Sequence, residues 1–319
     1  MTTTNIAIIG AGQLGSRHLQ GLKIASSPLA ITVVDSNDES LKIARERYDA
    51  VNEIGEKTIQ YVKTIESLPA QLDLVIVATG SKPRASIVKS LLAHSSVRYL
   101  ILEKVLFPLL SDYDEIGAIL KAKNIQCWVN CPRRMFGSYS MIKNSIDHTK
   151  PIKMEYVGKD WGLCCNAMHF IDVFMCLVQN KTFTINTDSI EPEIHESKRH
   201  GYIEMYGTLR ITTEGGDELL LSCLSAMDQP ARVELKNGMN YFALDEAAGI
   251  LIMDGAETKV DTPYQSQTTG ILADSILRTG YCPLTPYEES AQYHKVFIKK
   301  ILEKYNEITG ENSEILPIT

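Results

Sequence analysis

The chain has 319 residues, 44% hydrophobic and 22% charged, and its 32 basic and 39 acidic side chains leave a net charge of -7. This is a soluble globular composition with material for a large core, and at about 100–200 residues per domain it divides into two domains. The acidic balance argues against a nucleic-acid or anionic-membrane binder, whose positive excess would release counterions from phosphate, and no apolar run approaches the about 18 residues of a membrane helix.

In the first 130 residues short β-branched runs alternate with longer stretches of helical period, the rhythm of βαβ units on a parallel sheet. Strands are predicted at 6–9, 31–35, 58–62, 74–78, 99–103 and 125–129, and helices at 13–25, 39–48, 83–93 and 112–121. Strands such as Leu74-Val75-Ile76-Val77-Ala78 are apolar on both faces, as a sheet covered on both sides by helices requires. Six strands in this order predict an α/β, doubly wound Rossmann domain over residues 1–130.

After Asn130 the pattern changes. One apolar helix at 165–178 precedes strands at 203–212, 218–227, 231–235, 241–244 and 250–253, broken by Glu214-Gly215-Gly216-Asp217 and Asn237-Gly238. Such breaks are hairpin signals, so residues 131–319 are predicted as a substrate-binding and oligomerisation α+β domain with a large, mostly antiparallel open sheet. Helices at 270–278 and 286–307 close the chain, the last of them free to pack back on the first domain. Seven cysteines form no C-x-x-C pair and their number is odd, which indicates neither a disulfide framework nor a zinc site. With no basic amino-terminal signal region before Arg17, a reducing cytoplasm is the expected location.

The strongest motif is Gly10-Ala11-Gly12-Gln13-Leu14-Gly15, a G-x-G-x-x-G set directly after one predicted strand and opening the next helix. Gly10 permits the tight turn, Gly12 lets backbone approach a pyrophosphate, and Gly15 lets the helix lie close to the strand, with Gln13 and Leu14 between them as further cofactor contacts. Asp35 ends the second strand 20 residues after Gly15, where its carboxylate can accept from a ribose hydroxyl and repel a 2′-phosphate. These residues predict NAD as cofactor, with Thr79 and Gly80, just after the fourth strand, beside it. His18 shares the packed face of Leu14 and Leu22 and reads as a structural histidine.

From the fifth strand, which ends in Glu103-Lys104, the chain resembles the glucose–fructose oxidoreductase and inositol dehydrogenase family, Gfo/Idh/MocA. The resemblance extends from the glycine motif through the Leu72–Thr79 strand end and the Glu-Lys pair to the helix containing His169-Phe170-Ile171-Asp172. The family signature Glu-Lys-Pro is here Glu103-Lys104-Val105, with the proline delayed to Pro108. The resemblance implies oxidation or reduction of a sugar, sugar acid, polyol or nucleotide sugar by a nicotinamide cofactor, with Glu103 and Lys104 close to that cofactor. A lysine at the carboxyl end of a parallel strand points to the ligand crevice of such folds, and its ammonium can stabilise an alkoxide or exchange a proton; the competing reading is a solvated strand-end lysine.

Many relatives carry Asp-x-x-x-His on the later helix; here Cys165 takes the aspartate position and His169 the histidine position. Cys165, His169 and Asp172 fall on one helical face, where a carboxylate could orient the imidazole; Lys104 and His169 are the expected proton-handling pair, with a structural role as the alternative for His169, and Asp172 reads as a structural helix residue more than a participant in the chemistry. Cys165 is a packing or substrate-contacting residue, since no third ligand for a metal is recognisable, and no metal is expected. Asn166 and Trp161 are candidates for hydrogen bonding to and stacking on a sugar, against helix capping and core packing. Arg133 and Arg134, at the domain crossover, are candidates to clamp a substrate carboxylate or phosphate, against a plain charged face.

The expected partner is a carbohydrate-like small molecule, with no nucleic acid and no membrane. Two rivals to a dehydrogenase are a glycosidase that retains NAD through its cycle and a non-catalytic NAD-binding sensor. Because residues 219–226 are largely apolar on both faces, a homodimer or homotetramer through the carboxyl-terminal sheet is also expected.

Overall fold

A computed structural model describes residues 4–179, 181–228 and 230–319. It divides into two compact units, one built from the chain up to Phe107 with 111–130 and 263–288, the other from 108–110, 131–262 and 289–319.

The first unit contains β1 (Thr4–Ile9), α1 (Gln13–Lys23), β2 (Leu29–Val34), α2 (Asp38–Asp49), β3 (Lys57–Val62), β4 (Gln71–Val77), α3 (Ser81–His94), β5 (Ser96–Glu103), α4 (Leu110–Ala122) and β6 (Gln126–Asn130). The six strands lie parallel in the order β6-β5-β4-β1-β2-β3, the doubly wound arrangement in which β1 is central and ligands meet the carboxyl ends of the strands. Ile6, Ile8, Leu74, Ile76 and Leu100 are fully buried, as continuous apolar runs between two helical layers must be.

The second unit opens with α5 (Gly137–Ser145), β7 (Ile152–Lys159) and α6 (Leu163–Leu177), followed by β8 (Phe183–Ile190) and the short pair β9 (His195–Glu196) and β10 (Ile203–Glu204). Then come β11 (Gly207–Thr213), β12 (Glu218–Leu224), β13 (Arg232–Asn237), β14 (Asn240–Asp245), β15 (Ile250–Met253) and β16 (Ala256–Lys259). Eight strands form one sheet, β16-β15-β14-β13-β7-β12-β11-β8, antiparallel except where β7 and β12 run parallel. The predicted strand at 203–212 is two strands, because Gly207 has a φ of +108° and a Cβ there would lie 2.3 Å from the Ser189 carbonyl oxygen. Leu219, Leu221 and Cys223 of β12 are buried, whereas the opposite face carries half-buried Leu220 and Leu224 among charged neighbours, with Arg210 bonded to Glu218 and Arg232 to Glu234. The second face of this strand is therefore mixed rather than apolar.

The chain ends with α7 (Gln265–Thr279), β17 (Thr285–Pro286) and α8 (Tyr287–Thr309). It is α7, together with β17 at the edge of β6, that completes the first unit, while most of α8 belongs to the second. α7 meets α1 backbone to backbone: a Cβ on Gly270 would lie 2.4 Å from the Gly21 carbonyl oxygen. Asp274 fixes the contact by accepting the N–H and hydroxyl of both Ser26 and Ser27 at 2.7–3.0 Å.

Candidate functional site

In the first unit the turn from β1 into α1 is shaped by close approach. Gly10 has a φ of +94°, and a Cβ on Gly15 would fall 1.7 Å from the Gly10 carbonyl oxygen, so neither position tolerates a side chain. Gly12 differs: nothing lies within 4 Å of where its Cβ would stand, and as the residue before α1 it makes no side-chain cap, which leaves the first helical N–H groups to a ligand. The half-buried Asp35 accepts from the Ala11 N–H at 2.7 Å and the Asn37 N–H at 2.9 Å, one on each oxygen, so its carboxylate is oriented while lone pairs remain for hydroxyls. Thr79 packs on Gly10, its hydroxyl buried with no partner among the described residues, and Gly80 precedes α3, again without a side-chain cap. An open approach at Gly12, an orphaned hydroxyl and a fixed carboxylate suit a dinucleotide. The exposed side chain of Gln13 accepts from Arg47 at 2.6 Å, and Leu14 is half-buried.

At the end of β5, Lys104 is half-exposed in a run that is otherwise buried from Leu100 to Pro108. Glu103 faces inward, 2% exposed, accepting from Asn130 and hydrogen-bonded to His18 Nε2 at 2.9 Å, while His18 Nδ1 lies 3.0 Å from the Thr269 hydroxyl. Gln265 joins Asn130 to Thr269, which closes a network through α1, β5, β6 and α7. Burial alone would raise the Glu103 carboxyl, but hydrogen bonding and charge from His18, with Asn130 and Arg84, outweigh it and hold the group below its ordinary range. Glu103 thus supports the strand end from inside, where the sequence suggested a cofactor contact, and His18 is the packed histidine its spacing predicts.

Arg84, only 1% exposed, was not singled out by sequence. It donates to the carbonyls of Thr79, Val105 and Leu106, the last at 3.0 Å. Its signal was present, since Arg84 shares the helical face of Val88, Leu91 and Leu92, where a charge demands an explanation.

In the second unit Cys165, Asn166 and His169 form a half-exposed patch at the start of α6, between the buried Cys164, Ala167 and Met168. Glu204 of β10, also missed, places its carboxylate on the helix amino terminus, accepting from the N–H of Cys164 at 2.8 Å and of Cys165 at 3.2 Å. The Cys165 sulfur lies 3.8 Å from the Ser197 hydroxyl. Asn166 donates to the Trp161 carbonyl at 2.6 Å, and Trp161 donates its indole N–H to Ser222 while packing edge-on against Tyr156 and Phe170.

Two expectations change here, and a third is given its partner. Asp172, expected as a structural helix residue more than in direct chemistry, is fully buried and is the counter-ion of Arg134, which grips it through Nε at 2.8 Å and Nη2 at 3.2 Å. Arg133 is likewise bonded to Glu246, at 2.9 Å through both Nε and Nη2, and lies over the Phe170 ring. Burial works against both guanidinium charges, and Glu246 and Asp172 more than offset it, raising each pKa. Both arginines, read as clamps for a substrate anion, are spent on the protein's own carboxylates, because a guanidinium that leaves water must find a counter-charge.

No curated protein matches the sequence. Solved structures share the fold at low identity. An oxidoreductase from Agrobacterium radiobacter, in complex with NAD+, L-tartaric acid and magnesium, is 14% identical with a TM-score of 0.70, covering 93% of this chain and 95% of that one. A UDP-N-acetylglucosamine 3-dehydrogenase from Acidithiobacillus ferrooxidans is 12% identical with a TM-score of 0.71, covering 94% and 97%. The biliverdin reductase from Synechocystis, in complex with biliverdin and NADP+, is 13% identical with a TM-score of 0.69, covering 94% and 98%. Residues 4–131 match the profile of the oxidoreductase family with an NAD-binding Rossmann fold, the segment that holds the glycine turn, Asp35, Thr79 and Lys104. Over that segment the chain matches the Gfo/Idh/MocA family of NAD-binding oxidoreductases, the family whose motifs the sequence resembles.

Proposed function

We propose that the protein moves a hydride between NAD and a hydroxyl or carbonyl carbon of a neutral, polyol-like or sugar-like small molecule. The observation that carries this reading is Lys104, the one half-exposed side chain in the buried run from Leu100 to Pro108, at the carboxyl end of a strand in an NAD-binding unit. The nicotinamide, when bound, takes up or gives the hydride; the protein binds, orients and handles the accompanying proton. The N–H groups at Gly12 and Gln13 receive the pyrophosphate, Asp35 the adenosine ribose, and Thr79 and Gly80 flank the cofactor. Lys104 Nζ stabilises the substrate oxygen as its charge develops, and the His169 imidazole is the second proton-handling candidate.

A neutral substrate is favoured over an anionic one because both nearby arginines are paired and the amino terminus of α6 already holds Glu204. Cys165, Asn166 and Trp161 are the proposed substrate contacts. Association through the outer sheet face, where Leu220 and Leu224 are half-buried between paired charges, and a reducing cytoplasm suited to seven free cysteines complete the proposal. Light scattering at micromolar concentration should show a dimer or tetramer.

The deciding experiment is Lys104→Met assayed against a panel of neutral sugars and polyols. Turnover should fall by about a hundredfold, the scale of acid–base assistance, while NADH titration changes little. Normal turnover would return Lys104 to a solvated strand end, and product formation without net NADH release would favour the cofactor-retaining glycosidase.

A further inference from the structure

Glu103, the residue before Lys104, is fixed by His18 and Asn130, and the residues after Lys104 lack the family's proline. The family's proline would restrict the backbone at position 105; valine does not. In this protein Val105, Leu106 and Phe107 are fully buried; the Tyr113 hydroxyl bonds the N–H and carbonyl of Phe107, and Arg84 of α3 reaches the carbonyls of Val105 and Leu106, the two residues next to Lys104. A guanidinium has five N–H donors in a rigid plane and no acceptor, so one buried arginine can hold several carbonyls in fixed relative positions. Arg84 does this across two segments: Nη1 donates to Val105 and Leu106 and Nη2 to Thr79, on the loop between β4 and α3. A packing role alone would be met by an apolar residue matching Val88 and Leu91 on the same face, without the cost of burying a charge.

We propose that Arg84 is a positioning residue for Lys104, supplying through two backbone carbonyls the restraint that a proline at 105 supplies in related chains, and tying it to the cofactor loop at Thr79. The catalytic meaning of this restraint rests on the role proposed for Lys104, so the test reads Lys104 itself.

The probe is trinitrobenzenesulfonate labelling of the full-length protein without cofactor, with the Lys104 peptide quantified by mass spectrometry across pH 7–10, for wild type, Arg84→Gln, Arg84→Lys and Arg84→Gln/Val105→Pro. Removing the clamp should shift the rate or midpoint of Lys104 labelling by about fivefold or about half a pH unit, Arg84→Lys should fall between, and Val105→Pro should restore most of the change. A merely structural arginine would lower the melting temperature equally in Arg84→Gln and the double variant and leave the Lys104 profile, relative to other lysines, unmoved; that result overturns the proposal. So does a shift that proline fails to reverse. If Arg84→Gln does not fold, Arg84→Lys with and without Val105→Pro carries the same comparison. The readout stands apart from turnover: Lys104→Met with normal activity would overturn the proposed chemistry while leaving the labelling result intact.

Discussion

The two units treat their polar side chains in opposite ways. In the first, polar groups at the glycine turn stand clear of the fold's own pairing: open space at Gly12, a buried Thr79 hydroxyl with no partner among the described residues, and an Asp35 carboxylate held in place by two N–H groups. In the second, charges near the candidate patch are consumed internally, Arg133 by Glu246, Arg134 by Asp172 and the amino terminus of α6 by Glu204. The half-exposed Cys165, Asn166 and His169 themselves carry neither a carboxylate nor a guanidinium. The contrast teaches that a charged motif beside a predicted site has to be asked first what it neutralises within the fold.

The largest effect is expected where that internal pairing is broken. Asp172→Ala leaves the Arg134 guanidinium, 11% exposed, with only the half-exposed Glu289 carboxylate at 3.9 Å in place of its bidentate partner, and breaking a buried pair costs about 3–5 kcal/mol at most. Chemical denaturation should show that loss, and Arg134→Met/Asp172→Leu should recover much of it. If Asp172→Ala is neutral, Arg134 is not committed and the anionic-substrate reading returns.

The glycine turn offers a paired test on the cofactor side. Gly15→Ala forces a Cβ onto backbone and should cost about 1–3 kcal/mol or more of stability together with NADH binding, whereas Gly12→Ala meets nothing and should keep its melting temperature. NADH affinity in Gly12→Ala should still fall by about tenfold, because the added methyl occupies the approach reserved for pyrophosphate. Unchanged affinity would place the dinucleotide elsewhere.

A smaller effect concerns cofactor choice. Asp35 would face a 2′-phosphate with like charge, a cost of about 1–3 kcal/mol at a partly screened site, so NADH should bind at least about tenfold more tightly than NADPH. Arg47 stands near, but its guanidinium is bonded to the Gln13 side chain and carbonyl and to the Ser16 hydroxyl. Equal affinities in a fluorescence titration would mean that Arg47 leaves those partners to neutralise the phosphate.

How much could be read in advance follows the same division. The parallel strands, the glycine turn, Asp35 and the change of pattern at Asn130 were legible because local sequence dictates them: apolar runs, a turn needing positive φ and helix starts. β7, absent from the predicted strands, nonetheless has a local signal, since Ile152 and Met154 alternate with Lys153 and Glu155; β8 is harder, being an edge strand with Thr184, Asn186 and Asp188 along it. The ion pairs were not legible at all. Arg133 and Glu246 are 113 residues apart, and nothing in either neighbourhood names the other. Glu204 had no local signal, whereas Arg84 announced itself as a charge on an apolar face.

The smallest predicted effect is confined to acid, and it tests whether the network behind Lys104 is charged. Glu103 is hydrogen-bonded to His18 of α1 and Asn130 of β6, with Arg84 of α3 adding favourable charge and Thr269 of α7 on the far side of the imidazole. Its folded pKa lies below its ordinary value, so the folded protein binds the proton more weakly than the unfolded chain. The resulting stability is complete above the unfolded value of about 4.3 and is lost as pH falls through the lower folded value. Glu103→Gln keeps the shape and one acceptor oxygen but cannot ionise. The variant should therefore melt below wild type at pH 7, and the gap should narrow as pH falls below about 4.5, which scanning calorimetry from pH 3 to 7 would show. Taking the difference between the two curves removes the contribution of other carboxylates such as Asp274, whose folded pKa is also lowered. A gap that stays constant to pH 3 would mean that Glu103 is neutral in the fold, and His18 would then be holding a carboxylic acid rather than a carboxylate.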